Sequence, residues 1–251
     1  MAKHPFVRKL GDTIITQLRG AHNNQLFNKL KADAMKPGRP QEAVFPAIRN
    51  NTIDFYHCGS KLFSYKNGEY LTHHKYASVL TDAEDDYIKE SQLKNLRLIT
   101  DFCEGYKRIK ENCSLYAGVE ASGVSEIYSR YSYLFPDTEI VVLDIEIALE
   151  AEQASEETSE QGGKRKTIDR IDLLLFDKSS ATLRFYEAKH FTNGELWASA
   201  GSKPQVVKQI QKYEKQVKNR KAEIIKNYTE YVRIVNALFE LFWLAFELLD
   251  D

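Results

Sequence analysis

Two neighbouring apolar runs in the C-terminal half of the chain carry charged residues among their hydrophobic ones. The first, "IDLLLFD", contains Asp172, and the second, "TLRFYEAKHF", contains Glu187 and Lys189. Both runs are rich in β-forming residues and are joined by the short turn "KSSA", so they predict two consecutive strands of one sheet. An unpaired charge in a buried strand is energetically costly. These three side chains must therefore be compensated by one another or by a ligand.

Successive side chains of a strand point to opposite faces of a sheet. Asp172 therefore shares a face with Leu174, while Glu187 and Lys189 share a face of the following strand. In a hairpin, the three charged side chains lie together at one end of the sheet. Two neighbouring carboxylates repel each other, and burial strengthens the repulsion. Because Mg²⁺ binds one or two carboxylates and keeps positions for water and phosphate, the pattern predicts a Mg²⁺ (or Mn²⁺) site at Asp172 and Glu187.

The same residues resemble the signature of the PD-(D/E)XK nuclease superfamily. That signature is an acidic residue on one strand followed by (D/E)-x-K on the next, which here are Asp172 and then Glu187, Ala188 and Lys189. The proline that precedes the first acid in the signature is replaced by Ile171, a departure that is common in this divergent group.

Two predicted helices carry further residues of this resemblance. Members related to RecB nucleases have Q-x-x-x-Y on the helix after the third strand, and Gln209 and Tyr213 match it. Residues four apart lie on one face of a helix, so both side chains can point towards one site. Many members also carry a glutamate on the helix before the sheet, a role that Glu126 fits, with Glu120 as the alternative. The resemblance extends over residues 120–227.

The resemblance implies an α/β (α+β) fold with a restriction-endonuclease-like αβββα core and a mixed central sheet. We expect this core, with an apolar C-terminal helix, over residues 116–251. An N-terminal accessory region of helix, antiparallel β-meander and helix is expected over residues 1–115. No fourth core strand is evident, because "EYVRIV" (residues 230–235) is short and runs into a helical pattern.

The function implied by the resemblance is hydrolysis of DNA phosphodiester bonds, leaving 5′-phosphate and 3′-hydroxyl ends. The metal ligands would be Asp172, Glu187 and the main-chain carbonyl of Ala188, and Lys189 would position the attacking water. The resemblance adds three assisting residues: Glu126, Gln209 and Tyr213. Members serve in restriction, phage defence, mobile elements and repair. The alternatives are a catalytically inactive nuclease-like DNA-binding or assembly module, and a structural interaction protein.

Other residues near the signature leave alternatives open. Asp169 competes with Asp172 for the first acidic position, but its place in the strand favours Asp172. Asp144 and Glu146 share a face of the preceding strand and are either further metal ligands or, as is commoner, solvated residues. His190 lies on the opposite strand face and is interpreted as structural.

The formal net charge of −1 excludes a global positive field, so any nucleic-acid surface must be local. Lys208, Lys212 and Lys215 form a stripe on a predicted helix that either contacts phosphates or is a solvated face. The chain has no Walker loop, G-x-G-x-x-G, G-x-S-x-G or H-E-x-x-H motif. NTP hydrolysis, dinucleotide binding, serine hydrolysis and zincin chemistry therefore lack support.

The terminal segments bear on location. The N-terminus lacks an apolar signal-peptide region, which predicts a cytoplasmic protein. The apolar segment 232–249 contains Arg233 and Glu240, and charges are expensive inside a membrane. It is expected to be a buried helix or an oligomer interface. Three cysteines lack the spacing of a zinc site and are expected to be reduced: Cys58, Cys103 and Cys113.

The spacing of apolar residues predicts the remaining elements. Helices are expected over residues 10–35, 83–112, 125–134 and 204–227, with Ser122 or Ser125 capping the third. Strands are expected over residues 43–49, 52–58, 61–66, 69–74 and 139–149. Asn67-Gly68 is a strong signal for a hairpin turn. The polar segment 150–166 is expected to be an exposed loop.

Overall fold

The computed structural model describes residues 5–77, 87–90, 101–149, 170–198 and 202–241. Within these ranges the chain forms seven α-helices and two antiparallel sheets, so the predicted mixture of helices and strands is confirmed. The helices are α1 (Asp12–Arg19), α2 (Ala21–Ala34), α3 (His74–Ala77), α4 (Tyr106–Leu115), α5 (Val119–Tyr131), α6 (Gln205–Asn219) and α7 (Lys221–Phe239). The strands are β1 (Phe45–Ile48), β2 (Thr52–His57), β3 (Ser60–Lys66), β4 (Glu69–His73), β5 (Tyr87–Lys89), β6 (Ile140–Ile147), β7 (Ile171–Asp177) and β8 (Thr182–Tyr186).

The N-terminal region contains an antiparallel meander in which β1 to β5 pair in chain order. Its first four strands confirm the predicted runs. Asn67 and Gly68 join β3 to β4 with φ values of 54° and 84°. A tight hairpin turn requires left-handed backbone at both positions, which asparagine and glycine tolerate best. The aromatic residues of the meander are buried and belong to the core: Phe55, Tyr56, Phe63, Tyr65 and Tyr70.

The second sheet consists of β6, β7 and β8, which pair in that order and are antiparallel. The predicted mixed central sheet is therefore wrong for the described residues. The parallel pairing beside this sheet is an isolated bridge between Ser132 and Val142. A parallel strand needs a long crossover back to the sheet. The segment 230–235 could have formed such a strand, but it lies within α7. The restriction-endonuclease-like arrangement of the core stays a prediction.

The helix predicted over residues 83–112 is wrong at its beginning. Tyr87–Lys89 forms β5 and pairs with β4, with Ile88 buried between two exposed neighbours. This alternation is the period of a strand, and over three residues it cannot be distinguished from a helical spacing. Helix α4 occupies the end of the predicted range, while residues 91–100 and the predicted loop 150–166 lie outside the described part of the chain.

Helix α5 begins at Val119, six residues before its predicted start. The Ser125 hydroxyl does not cap the helix, because it donates to the Ser122 carbonyl at 2.7 Å within it. Serine side chains can bond back to the preceding turn in this way instead of capping. The earlier start matters because it places Glu120 in the first turn of the helix.

The helices predicted over residues 10–35 and 204–227 are each divided in two. Gly20 separates α1 from α2 with an extended backbone (φ −62°, ψ 151°). Arg220 separates α6 from α7 with φ −124° and ψ 14°. Neither conformation continues a helix.

One hydrophobic core includes residues from both predicted regions of the chain. The Tyr133 and Tyr231 hydroxyls both donate to the Pro46 carbonyl of β1, at 2.8 and 3.4 Å. The predicted burial of the apolar C-terminal run is confirmed as far as Leu241, and residues 242–251 lie outside the described part. None of the described helices combines the length and the hydropathy needed to span a membrane.

A buried carboxylate joins the two regions. Asp144 of β6 accepts hydrogen bonds from Arg8 Nε at 3.0 Å, Arg49 Nη1 at 2.7 Å and Tyr228 Oη at 2.9 Å. Burial works to raise the pKa of Asp144, but the two guanidinium groups outweigh burial and lower it. Asp144 is therefore neither solvated nor available to a metal ion, and both predicted alternatives for it are wrong.

Candidate active site

The register of the second sheet brings Asp172 and Glu187 together. Leu173 pairs with Tyr186, and the same register places Glu187 opposite Asp172. Asp172 Oδ2 accepts a hydrogen bond from the Ala188 N–H at 2.6 Å. Strand β8 ends at Tyr186, before the end of the predicted run. The Ala188 N–H donates to the Asp172 side chain instead of to a main-chain carbonyl of β7, so the pairing of the two strands stops there.

Glu187 is almost fully buried, with 5% of its side chain exposed. Its Oε1 atom contacts Lys189 Nζ at 3.1 Å and accepts a hydrogen bond from Gln209 Nε2 at 2.7 Å. Its Oε2 atom is buried and accepts no hydrogen bond from the described residues. Burial and the Asp172 charge raise the pKa of Glu187 to about 7, against the hydrogen bonds from Lys189 and Gln209. Burial and the Glu120 charge raise the pKa of Asp172, against the hydrogen bond from the Ala188 N–H, the Lys189 charge and a hydrogen bond donated by the protonated Glu187 carboxyl.

The pair of carboxyl groups fits a divalent cation. A buried oxygen that receives no hydrogen bond, beside a second carboxylate, is an arrangement that a positive ion stabilises. Among the described residues, no three His, Cys, Asp or Glu side chains are grouped as a ligand set. Mg²⁺ requires no such set, because it completes its coordination with water and phosphate. The contact that Ala188 makes here is through its N–H group, so the ligand role of its carbonyl stays a prediction.

Lys189 lies between two carboxylates. Its Nζ atom is 3.1 Å from Glu187 Oε1 and 3.0 Å from Glu195 Oε2. Burial works to lower the pKa of Lys189, but the hydrogen bonds and charges of Glu195 and Glu187 outweigh burial and raise it. Lys189 is therefore a cation and a hydrogen-bond donor at neutral pH, and it cannot act as a general base.

Gln209 and Tyr213 connect α6 to the carboxylate pair. Gln209 Nε2 donates to Glu187 Oε1 and also to Tyr213 Oη, the latter at 2.9 Å. The Tyr213 hydroxyl in turn donates to the Arg170 carbonyl at 2.9 Å, just before β7. These bonds fix the position of Glu187 relative to β7. Both side chains lie at the site, as their spacing of four predicts.

The glutamate that α5 brings to the site is Glu120. Its Oε1 atom accepts hydrogen bonds from the His190 N–H at 2.9 Å and from Asn193 Nδ2 at 2.6 Å. Burial works to raise the pKa of Glu120, but these bonds outweigh burial and lower it. Its charge acts on Asp172. Glu126, which was predicted for this position, has an exposed side chain and lies about 9 Å further along the helix axis. The alternative residue, Glu120, is therefore the glutamate that α5 brings to the site.

Glu146 of β6 is a third carboxylate, next to Asp172 in the sheet. The pairs that flank it, Ile145 with Leu173 and Ile147 with Ile171, place it opposite Asp172. Burial and the Asp172 charge raise the pKa of Glu146, against the Arg170 charge. Its backbone is left-handed, with φ 52°.

His190 and Asp169 are the remaining residues that the sequence places near the signature. His190 acts through its main chain, which donates to Glu120, and its Nδ1 atom lies 2.7 Å from Thr192 Oγ1. This contact agrees with the structural interpretation of His190. Asp169 lies outside the described residues.

Glu195 and Asn193 also lie at the site, through contacts with Lys189 and Glu120, and were not predicted from the sequence. Asn193 precedes a short 3-10 helix (Gly194–Leu196), and its Oδ1 atom accepts a hydrogen bond from the Glu195 N–H at 2.9 Å. An asparagine that caps a helix has a recognisable pattern, but no motif marks Glu195 as a partner of Lys189.

The three lysines predicted to bind DNA are exposed on α6, while Gln209 on the same helix contacts Glu187. Exposure is expected both for a phosphate-contacting surface and for a solvated face, so the role of Lys208, Lys212 and Lys215 stays a prediction.

Comparisons with protein families, curated proteins and solved structures give no match to this chain. A proposal for its function must therefore be based on the chemistry of the site itself.

Glu187 makes the folded protein less stable as the pH rises. Its pKa of about 7 in the folded chain lies above the usual 4.5. Between these pH values the folded chain keeps a proton that the unfolded chain has released, so the free energy of unfolding falls. Since one pKa unit corresponds to about 1.4 kcal/mol, we expect metal-free protein to lose about 2–3 kcal/mol between pH 5 and pH 8. The variant Glu187→Gln should lose much less.

Urea unfolding in EDTA at several pH values measures this effect. The matched control is Glu214→Gln, which replaces an exposed glutamate of α6 and should keep the wild-type pH dependence. If wild type and Glu187→Gln show parallel pH dependence, the buried carboxyl does not hold the proton.

Proposed function

We propose that this protein is a Mg²⁺-dependent nuclease of the PD-(D/E)XK type that hydrolyses phosphodiester bonds of DNA. The observation that carries the proposal is the pair of carboxyl groups of Asp172, which is partly buried, and Glu187, whose side chain is only 5% exposed and has one oxygen that accepts no hydrogen bond from the described residues. Lys189 contacts the same carboxylate. A structural ion pair alone does not account for a second carboxyl group beside Glu187.

Asp172 and Glu187 would hold the metal ion, with the Ala188 carbonyl as a further ligand. When bound, the ion lowers the pKa of a coordinated water and offsets negative charge on the phosphate. Metal binding requires Glu187 to be ionised, so its pKa of about 7 makes affinity for Mg²⁺ increase with pH.

Lys189 acts as a fixed positive charge at the site. Its ammonium group can donate to the attacking water and to a non-bridging phosphate oxygen, where negative charge increases in the transition state. The water oxygen forms a bond to phosphorus and the bond to the 3′ oxygen breaks, which leaves a 3′-hydroxyl and a 5′-phosphate. Glu195 is a second carboxylate partner of Lys189, at 3.0 Å, so the ammonium would stay in place when Glu187 binds the ion.

Two groups outside the reacting atoms position the site. Gln209 orients the Glu187 carboxylate through Oε1 and leaves Oε2 without a donor from the described residues. Glu120 holds the loop that follows Lys189 by accepting hydrogen bonds from His190 and Asn193. Removing either group should weaken catalysis through geometry and not through a lost ligand.

The proposal is tested by incubating purified protein with labelled linear, circular and single-stranded DNA in Mg²⁺, Mn²⁺ or EDTA. We expect cleavage with either metal ion and none in EDTA. Asp172→Asn, purified in the same way, controls for a contaminating nuclease and should be inactive. DNA binding without cleavage under every metal condition would instead identify a catalytically inactive binding module.

A further inference from the structure

Two large aromatic side chains are exposed on the loop that follows Lys189. Phe191 is 73% exposed and Trp197 is 67% exposed. They lie two and eight residues after Lys189 in the chain. Large exposed apolar groups that occur together mark a binding surface more often than single ones do, and these two adjoin the proposed catalytic site.

Residues of the site contact the same loop at three points, which are His190, Asn193 and Glu195. Glu120 accepts hydrogen bonds from the His190 N–H and from Asn193 Nδ2, at 2.9 and 2.6 Å. Glu195 is 3.0 Å from Lys189 Nζ. Phe191 therefore lies on a segment that is fixed relative to Lys189, and the Trp197 N–H donates to the Gly194 carbonyl of this segment at 3.2 Å.

Exposed apolar residues continue on the other side of Glu120. Leu115, Tyr116 and Val119, at the junction of α4 and α5, are 79%, 56% and 65% exposed. Because Glu120 directly follows Val119 and bonds to the loop, the two sets of exposed residues are neighbours.

Lysines accompany the exposed rings beyond this point. Lys75 Nζ lies 5.8 Å from the centre of the Tyr116 ring, and Lys61 Nζ lies 4.8 Å from the centre of the Tyr87 ring. Tyr87 is 37% exposed. Tyr76 and His73 connect the two tyrosines through ring contacts at 6.0, 5.3 and 5.3 Å. The two lysine–tyrosine pairs are thus linked to each other by a continuous row of ring contacts.

We propose that these residues bind single-stranded DNA and deliver it to Lys189. We call the surface the aromatic strip, and its members are Phe191, Trp197, Tyr116, Tyr87, Lys75 and Lys61. The inference deepens the proposed function and depends on it for the chemistry that follows binding. Exposed rings stack on unpaired bases, whereas the bases of a duplex are already stacked on each other.

The charges of the aromatic strip favour DNA over a protein partner. Tyr116 and Tyr87 are each next to a lysine, which matches the alternation of bases and phosphates along a single strand. A protein bound over Phe191 and Trp197 would also cover the approach to Lys189.

The test is equilibrium binding of a labelled oligonucleotide in EDTA, as a single strand and as a duplex of the same sequence. We expect the single strand to bind more tightly. Phe191→Ala and Trp197→Ala should each weaken single-strand binding about 5- to 100-fold and change duplex binding much less. Trp197→Phe, which keeps a ring, should retain most of the affinity.

The control is Tyr131→Ala. Tyr131 is a 47% exposed tyrosine at the end of α5 that is about 16 Å from Glu120 along the helix. This variant should bind as the wild type does. Lys75→Ala should reduce the dependence of log affinity on log salt concentration by about 0.7, the value for one phosphate of a single strand.

Three results would overturn the aromatic strip. The first is equal affinity for the single strand and the duplex. The second is unchanged affinity for the single strand in Phe191→Ala and Trp197→Ala. The third is loss of self-association in these variants with DNA binding intact, which would identify a surface between two copies of this chain. If the protein cleaves DNA but gives any of these results, only the proposal of the aromatic strip is refuted. A protein that binds single strands through the strip but cleaves nothing refutes only the proposed function.

Discussion

Lys189→Ala is expected to lower the rate of DNA cleavage about 10²–10⁴-fold. Among the described residues, Lys189 is the lysine whose ammonium group contacts Glu187. In the proposed mechanism, its loss removes the donor for the attacking water and a positive charge that would stabilise the transition state. Affinity for DNA, measured in EDTA, should change far less, because one of many phosphate-contacting charges contributes little to binding.

Two further variants make the result specific. Lys189→Arg keeps the charge but replaces a compact ammonium with a planar group, so partial activity is expected. Lys107→Ala removes a lysine of α4 whose side chain is 90% exposed and should retain cleavage. Thermal unfolding of each variant checks the fold. Full activity in Lys189→Ala would show that Lys189 has no role in catalysis.

Much of the candidate site follows from local periodicity. The alternation of side chains along two strands joined by a tight turn is enough to place Glu187 opposite Asp172, as the register of β7 and β8 does. The spacing of four between Gln209 and Tyr213 is enough to place both on one helical face. These are short-range relations, which depend on one element or on one hairpin.

The parts that were not predicted depend on contacts between distant segments. Glu195 reaches Lys189 only because of the path of a loop, and loop paths have no period in the sequence. The choice of Glu120 over Glu126 depends on where α5 begins, and helix ends are the least certain part of a pattern. The strand pattern predicts Asp144 as a metal ligand or a solvated residue, but its hydrogen-bond partners are the distant residues Arg8, Arg49 and Tyr228.

Asp144→Asn is expected to lower the free energy of unfolding by about 3–5 kcal/mol. The substitution removes the charge that compensates Arg8 and Arg49, whose side chains are only 5% and 3% exposed. A buried cation without its partner is strongly destabilising, whereas removal of an exposed pair has little effect. Since about 2–4 °C corresponds to 1 kcal/mol in a domain of this size, the melting temperature should fall by roughly 6–20 °C.

The control is Glu230→Gln. It breaks the pair of Glu230 with Arg233, whose side chains are 37% and 64% exposed, so its effect should be below about 1 kcal/mol. Because the pKa of Asp144 is lowered in the folded chain, its contribution is present at neutral pH and is lost as the pH falls below its usual pKa. The difference between wild type and Asp144→Asn should therefore shrink in acid.

The shape of the unfolding transition tests whether the two regions depend on each other. Asp144 lies on β6, two residues before Glu146, while Arg49 directly follows β1 of the meander. If this carboxylate joins the meander to the sheet that carries the site, Asp144→Asn should unfold in one transition at lower temperature, with loss of cleavage and of near-ultraviolet circular dichroism together. If the meander unfolds first and cleavage survives, the site does not need the N-terminal region for its geometry.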